Sequence, residues 1–552
     1  MPDEQRLTTL GKLLSIVLVA GLIGLGVYMV QRGRTGSSAN PASEASDSKS
    51  AAAVAEVKLE VPKLGPPGPV ELKDNTVPLE ISEYAGYAGL IAANGGLEPT
   101  ENSVFFKDHG FKVKLTVKED EDWSELNAGK IAASVTTVDV LAAYGRQFHA
   151  VVPAQIGFSR GADAVVVRSD ITRINALKGK IVATAQFTEV DFLIRYLAQE
   201  AGLRIKMLGS ADAAPDPDRL NLVYTEDGFG AGDLFLDDIK SGKNRLAGCV
   251  TWEPKTSEVV QQSAGKAHVL TTNRNLLIVG DVLVVHKGFA EQHPEIVAGL
   301  VHGLLEGNRM VRDRPEAYLD VVGRAFKWTR EETRDELSKV HLSNLPENLA
   351  FFSGSIDAAG SFGGIYQSAV YSYGSDLIKD PLDADRFLDL KHLHELEKLG
   401  AFKEQKVAIA PIRSGGGAAV ETNPLLSKDI RFLFEPNSAI LDLSSQDNIK
   451  NLEAIRKLFQ VSPGSTVLLR GHVDNALVGD FRRKGGDGFV RQMALKAVEL
   501  SRQRAAEIKR LLLDKYKVDG SRIEIVGRGW EEPVGGDSDA NRRVEVQWFT
   551  IE

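Results

Sequence analysis

A single cysteine, Cys249, stands in 552 residues, which excludes an intramolecular disulfide and a cysteine-based metal cluster. Its neighbours Leu246, Ala247 and Val250 describe a small buried residue; a reactive thiol needs a basic, exposed setting. No long lysine- or arginine-rich run is present, and the formal net charge is -9. A general binder of nucleic-acid phosphates needs the opposite surface. The phosphate-cradling phrase G-x-x-x-x-G-K-[ST] and the zinc-binding phrase H-E-x-x-H are missing as well. The ten histidines are mostly scattered, and the closest pair, His392 and His394, has a spacing that puts its members on different faces of a helix. No metal and no cofactor are expected.

What is present is an ordinary globular composition, 43% hydrophobic and 26% charged. It is spread over more chain than one core organises, so two or three domains are expected. Residues 13–30 carry no charge and would span roughly 27 Å as a helix, close to the thickness of a bilayer's hydrocarbon. A transmembrane anchor at 13–31, after a tail at 1–12, is the expectation. A cleavable signal peptide competes with it, with Ser37-Ser38-Ala39 as its cleavage site. Arg6 and Lys12 before the run balance Arg32 and Arg34 after it, so charge does not orient it. Residues 32–74, rich in Ser, Ala, Gly and Pro, read as a flexible linker. Residues 406–424, with Pro411 and Gly415-Gly416-Gly417, read as a second. These breaks isolate a middle block at 75–405 and a C-terminal block at 425–552.

In the middle block, Val113-Lys114-Leu115-Thr116-Val117 alternates with period two, as a strand with one buried face should. Strand-like 180–183 and 281–285, with a helical 192–200, give a βαβ rhythm and an α/β class with mostly parallel sheets. Ligands of such sheets sit at the carboxyl ends of strands. Gly157-Phe158-Ser159-Arg160-Gly161 has the letters of a nucleophile elbow, but a strand-like run follows it where an elbow needs a helix. No catalytic residue is assigned, and the chain is not expected to be an enzyme.

Several phrases occur in order here: Glu83-Tyr84-Ala85-Gly86-Tyr87, Leu126-Asn127-Ala128-Gly129-Lys130, Leu177-Lys178-Gly179-Lys180, Trp252-Glu253-Pro254 and His293-Pro294-Glu295. With them the block resembles the periplasmic solute-binding proteins of nitrate/taurine/aliphatic-sulfonate ABC transporters. The resemblance implies a two-lobed α/β domain that closes over a small solute, with residues 157–168 and 276–285 crossing between lobes and a second lobe at about 155–275. By position it implies a cleft lined by Tyr84, Tyr87, Thr136, Thr137, Thr188, Trp252 and Asp281. Tyr and Trp would supply stacking surface with a polar handle, and Thr hydroxyls suit a small polar solute, an anion or sulfonate among them. Thr136-Thr137 before Val138-Asp139 reads equally as a helix start, and the aromatics equally as half-buried packing.

In the C-terminal block, 430–434 reads as a strand, 444–459 as a helix, 467–469 as a buried strand and 491–515 as a long helix. The last strand carries Val544, Val546 and Trp548 on one face. Arg504 is four residues from both Leu500 and Ile508, within that helix's apolar stripe, where a guanidinium wants a carboxylate partner. Gly471-His472-Val473-Asp474-Asn475, Leu500-Ser501-Arg502-Gln503-Arg504-Ala505 and Asn541-Arg542-Arg543-Val544 follow in that order. The block thereby resembles the OmpA-like peptidoglycan-binding domain, an α/β sandwich. The resemblance implies that Asp474 and Arg504 hold the ammonium and carboxylate of diaminopimelate in the wall's stem peptide. Arg542 or Arg543 would line the rim and Asn541 would brace the loop. Two departures stand out: Ala497 replaces the family's usual Asn, and the loop after Asp474 is long and basic, with Arg482, Arg483 and Lys484.

Together these readings give a single-pass inner-membrane protein with its bulk in the periplasm, tethered to peptidoglycan. It would present a solute cleft to a transporter permease or signalling partner, and bind no nucleic acid. A structural strut between membrane and wall is the alternative. A stator subunit of an ion-driven motor would share the layout, but residues 13–30 lack the acidic group it needs.

Overall fold

The computed structural model describes residues 53–118, 122–354, 360–409, 424–435, 438–461, 464–536 and 538–549. Among them are three sheets. Across the first run Val340–Leu342, Ala150–Ser159, Gly280–His286, Ala133–Thr137, Thr76–Ser82 and Lys112–Lys118. Across the second run Ala267–Thr272, Asp163–Arg168, Gly248–Trp252, Ile181–Ala185, Leu220–Thr225 and Ile205–Met207. Central strands such as Gly280–His286 and Ile181–Ala185 are buried throughout, which is why 282–285 and 181–183 within them are unbroken apolar runs while the edge strand Lys112–Lys118 alternates.

The chain leaves the first sheet at Ser159, enters the second at Asp163, and returns between Thr272 and Gly280. The two crossings are tied to each other. The Asn273 side chain accepts from Gly161 N at 2.7 Å and donates to Ser159 Oγ at 2.8 Å. The short turn from Ser159 to Asp163 joins strand to strand, so Ser159 does not sit on a nucleophile elbow.

Residues 53–74, read from composition as part of a flexible linker, instead form a strap across both lobes. Lys58 N donates to Gln186 Oε1 at 2.8 Å, and Gln186 Nε2 returns a bond to Lys58 O at 2.6 Å. Six residues on, Leu64 N donates to Gln147 Oε1 at 2.8 Å and Gln147 Nε2 donates to Pro62 O at 2.9 Å. Gln186 follows a strand of the second sheet, and Gln147 precedes one of the first. Paired side chains at each end satisfy backbone groups that the sequence left to solvent.

The third sheet runs Leu426–Ile430, Val544–Phe549, Thr466–Gly471, Ile523–Gly527. It is covered by the helix Gln446–Val461 and by Val478–Tyr516, which breaks at Gly485 and Gly486. Its first strand lies four residues before the expected 430–434; beyond Ile430 only an isolated bridge, Phe434 to Leu441, remains. Arg482, Arg483 and Lys484, expected in a loop, are helical, with Arg482 paired to Asp487 at 2.9 Å and Arg483 to Asp480. The sheet docks on the second lobe: Ile174 N donates to Leu425 O at 2.8 Å, and Asn175 exchanges bonds with Ser427 at 2.8 and 2.9 Å.

Among the described residues no helix is long and apolar enough to cross a membrane. The expected placement as a single-pass inner-membrane protein is corrected accordingly. The longest helix, Val478–Tyr516, carries charges along its length, and residues 1–52, with the apolar run at 13–30, lie outside the described residues. Most of the second linker, 410–423, lies outside them too.

Candidate functional site

Between the two lobes lies a cavity of about 520 Å³, and Tyr84, Tyr87, Thr136, Thr137, Thr188, Trp252 and Asp281 all line it. The strands explain the convergence. Thr136 and Thr137 end one strand of the first sheet, and Asp281, at the start of the antiparallel neighbour, is in register with Thr137. Trp252 ends a strand of the second sheet opposite Asp163. Thr188 precedes the helix Glu189–Glu200 but spends its hydroxyl on Ala185 O at 2.8 Å. By contrast, Thr136 Oγ1 is buried with no hydrogen-bond partner, while Thr137 lies within hydrogen-bonding reach of Asp139 and the Tyr84 hydroxyl within reach of Ser159.

The aromatic walls rest on glycines. The Tyr84 ring lies so close over Gly86 that a Cβ there would come within 2.1 Å of it, and the Trp252 ring would come within 2.2 Å of a Cβ at Gly228. Tyr84 and Tyr87 stand edge to face at 5.3 Å between centroids, and Phe229 backs Trp252 at 5.6 Å. Such pairs hold their rings in fixed orientations.

Sequence reasoning missed the acids. Besides Asp281, the described lining carries Glu83, Asp122, Asp163, Glu189, Glu226, Asp227 and Glu253, against Lys58 and Lys63 alone. Both lysines are exposed on the strap. Asp163 and Asp281 are buried, and Asp163 accepts from Ser159 Oγ at 2.6 Å and from Asn273 Nδ2 at 2.5 Å. Burial holds the Tyr84 phenol well above its ordinary range, with Asp281 and Asp163 adding to the effect. Carboxylates thus outnumber ammonium groups in the described lining of this cavity. Asp and Glu scattered over loops, strand ends and a helix start give no local signal, and only the fold shows that they meet.

Asp139, read from sequence as a capping-turn residue, is fully buried in the first turn of Val138–Tyr144. Burial pushes its carboxyl up to about 7. A folded-state pKa raised above the unfolded one contributes stability that is complete below about pH 4 and lost as pH rises through about 7. Asp139→Asn is expected to raise the stability at pH 8 by about 1–2 kcal/mol, since the amide brings a desolvation cost of its own. Its urea midpoint should fall less than the wild type's between pH 4 and pH 8. An equal fall would show that Asp139 is ionised throughout. Burial raises Asp163 as well, so part of the slope should persist.

At the end of Thr466–Gly471 the chain delivers His472, Val473 and Asp474 beside the long helix. A Cβ on Gly471 would fall 2.0 Å from Ser501 O, so strand and helix meet backbone to backbone here. That approach sets Asp474 within electrostatic reach of Arg504. Arg504 is half-buried, its guanidinium 4.9 Å over the Phe434 ring, and its Nε donates to Ser438 O at 3.1 Å. No carboxylate among the described residues lies at ion-pair distance from it. Burial disfavours its charge, the nearby Arg542 does so further, and Asp474 opposes both. Asp474 accepts from Ala476 N at 3.0 Å and lies 3.8 Å from Arg542. Asn541 is buried and ties Val534 N and Gly535 O at 2.8 and 3.0 Å. Arg543 does not line this rim: it is buried and pairs with Asp429 on the neighbouring strand at 3.0 Å. His472, Glu532 and Glu545 could in principle ligate a cation, but Arg470 already pairs with both glutamates.

Comparison with known proteins bears on both blocks. Residues 433–547 match the OmpA family. Over 141 residues, 25% of this chain, the sequence is 26% identical to outer membrane porin F of Pseudomonas aeruginosa; the match spans 35% of that protein's length. Among solved structures, the periplasmic aliphatic sulphonate binding protein of Escherichia coli aligns at 14% identity with a TM-score of 0.43, covering 64% of this chain and 99% of that one. The alkanesulfonate-binding protein of Xanthomonas axonopodis pv. citri, bound to MOPS, aligns at 12% identity with a TM-score of 0.43, covering 58% and 100%. The periplasmic nitrate-binding protein of Synechocystis PCC 6803 aligns at 14% identity with a TM-score of 0.34, covering 47% and 68%. An OmpA domain therefore closes the chain, and its structural neighbours over the N-terminal part are periplasmic solute-binding proteins.

Proposed function

We propose that this chain is a solute-binding protein of the cell envelope, held to peptidoglycan by its C-terminal domain. It would bind, not catalyse: two lobes joined by two crossings close over a small solute, and the closed form is read by a permease or a signalling partner. The cavity between the two sheets carries the reading, because its wall is assembled from both lobes and holds the buried hydroxyl of Thr136 with nothing to bond. Buried polar groups are rarely left so, and a ligand would complete them. In the C-terminal domain, Asp474 would take the ammonium of diaminopimelate and Arg504 its carboxylate, through a two-pronged hydrogen-bonded fork.

Thermal melting of the full chain against small anions, sulfonates, amines and pyrimidine precursors tests the cavity. A ligand at about 100 times its Kd should add roughly 2.7 kcal/mol to the native state. A flat response across the panel would leave the alternative, a strut that docks partners on the wall and binds no solute.

A further inference from the structure

We infer that the inter-lobe cavity takes a small organic cation, an amine or a quaternary ammonium, held between its aromatic walls and its buried acids. The inference rests on the reading of the two lobes as a solute-binding unit and names the ligand class of that unit.

The sign of the charge comes first. Eight carboxylates and two lysines line the cavity, and the lysines are exposed on the strap. Glu253 is met by Lys339 at 3.2 Å, but that lysine lies outside the cavity lining. Asp281 and Asp163, 2% and 3% exposed, are among the lining acids, and Asp163 also accepts from Ser159 and Asn273. An anion entering here would meet charge of its own sign in a medium that screens poorly. The second observation is independent of charge: Thr136, 2% exposed, lines the same cavity with a partnerless hydroxyl. It marks a space shaped for a polar occupant. The third is the wall itself, Tyr84 and Tyr87 from one lobe facing Trp252 from the other, since aromatic faces attract a desolvated ammonium.

Asp281 belongs to the first sheet and Asp163 to the second, so a cation held by both would bridge the two lobes.

Thermal melting and calorimetric titration of the full chain with tetramethylammonium, choline, putrescine, taurine and nitrate test this. The cations should raise Tm and the two anions should not. Asp281→Asn, which keeps the shape, and Trp252→Ala should each weaken cation binding by about ten-fold or more. A shift with taurine or nitrate alone overturns the cation assignment and leaves the solute-binding reading standing. No shift with any probe, or with a wider neutral panel, overturns both. Unchanged cation affinity in both variants, each still melting cooperatively, places the cation elsewhere and overturns the assignment too.

Discussion

Arg504→Ala and Asp474→Ala are each expected to weaken co-sedimentation with diaminopimelate-containing peptidoglycan by about thirty-fold or more. Losing one partner of a desolvated charge pair costs about 2–5 kcal/mol, and Arg504 is already half out of water, over Phe434, with a single carbonyl for company. The wall's carboxylate would supply the charge this guanidinium lacks. Arg504→Lys should bind poorly as well, because a point charge cannot reproduce the planar fork. Arg482→Ala and Arg483→Ala should change little, since both side chains are exposed and paired along their own helix. Alanine variants that keep the wild-type circular dichroism and sediment as before would sink the proposed site. The domain would then be a packing or dimerisation module.

Arg195→Ala should destabilise the chain by about 3–5 kcal/mol, the usual consequence of leaving a buried charge without its partner. Arg195 Nε donates to Asp191 at 2.8 Å and its Nη2 to the Tyr224 hydroxyl at 2.7 Å, with the Tyr373 ring 5.2 Å away. Asp191 is wholly buried, and its other oxygen accepts from Phe187 N at 3.2 Å. Burial already pushes Asp191 toward its neutral form, so removing the arginine strands it. The loss should appear as a lower urea midpoint at neutral pH. The double variant Asp191→Asn/Arg195→Met should recover part of it, because no buried charge is left over. Equal losses in the single and double variants would mean that packing, not charge, holds this helix. Phe187 and Thr188 border the cavity, so solute affinity should fall with stability in the single variant.

Much of the fold was written locally. Alternation in Lys112–Lys118 and the unbroken apolar run inside Gly280–His286 announce an edge and a central strand because each reports its own burial. Strand ends also fix which residues can share a cavity, and the seven residues chosen that way do border one space. Its charge could not be read so. Glu83, Asp163, Glu226 and Asp281 are ordinary loop and strand-end acids until the fold brings them face to face. The strap escaped for a related reason: a Pro- and Gly-containing stretch next to a Ser-rich one reads as a tether, and Gln147 and Gln186, which hold it, lie more than eighty residues away. At the wall site, Arg542 and Arg543 look interchangeable, and only the neighbouring strand's Asp429 separates them.

The strap also sets a mechanical limit. Between Lys58 and Leu64 the chain has six residue steps, which reach at most about 20 Å when taut. Each end is clamped by a glutamine that gives and receives a bond, so the lobes work on a leash. Any gape wider than the leash must first unzip one clamp, and the amplitude of breathing is thereby capped before any ligand arrives. Replacing either glutamine would lengthen the free span only to the next anchor, Ala55 N on Tyr224 O at one end or Gly65 N on Ser124 Oγ at the other, and the wider gape would register as a larger radius of gyration in solution scattering.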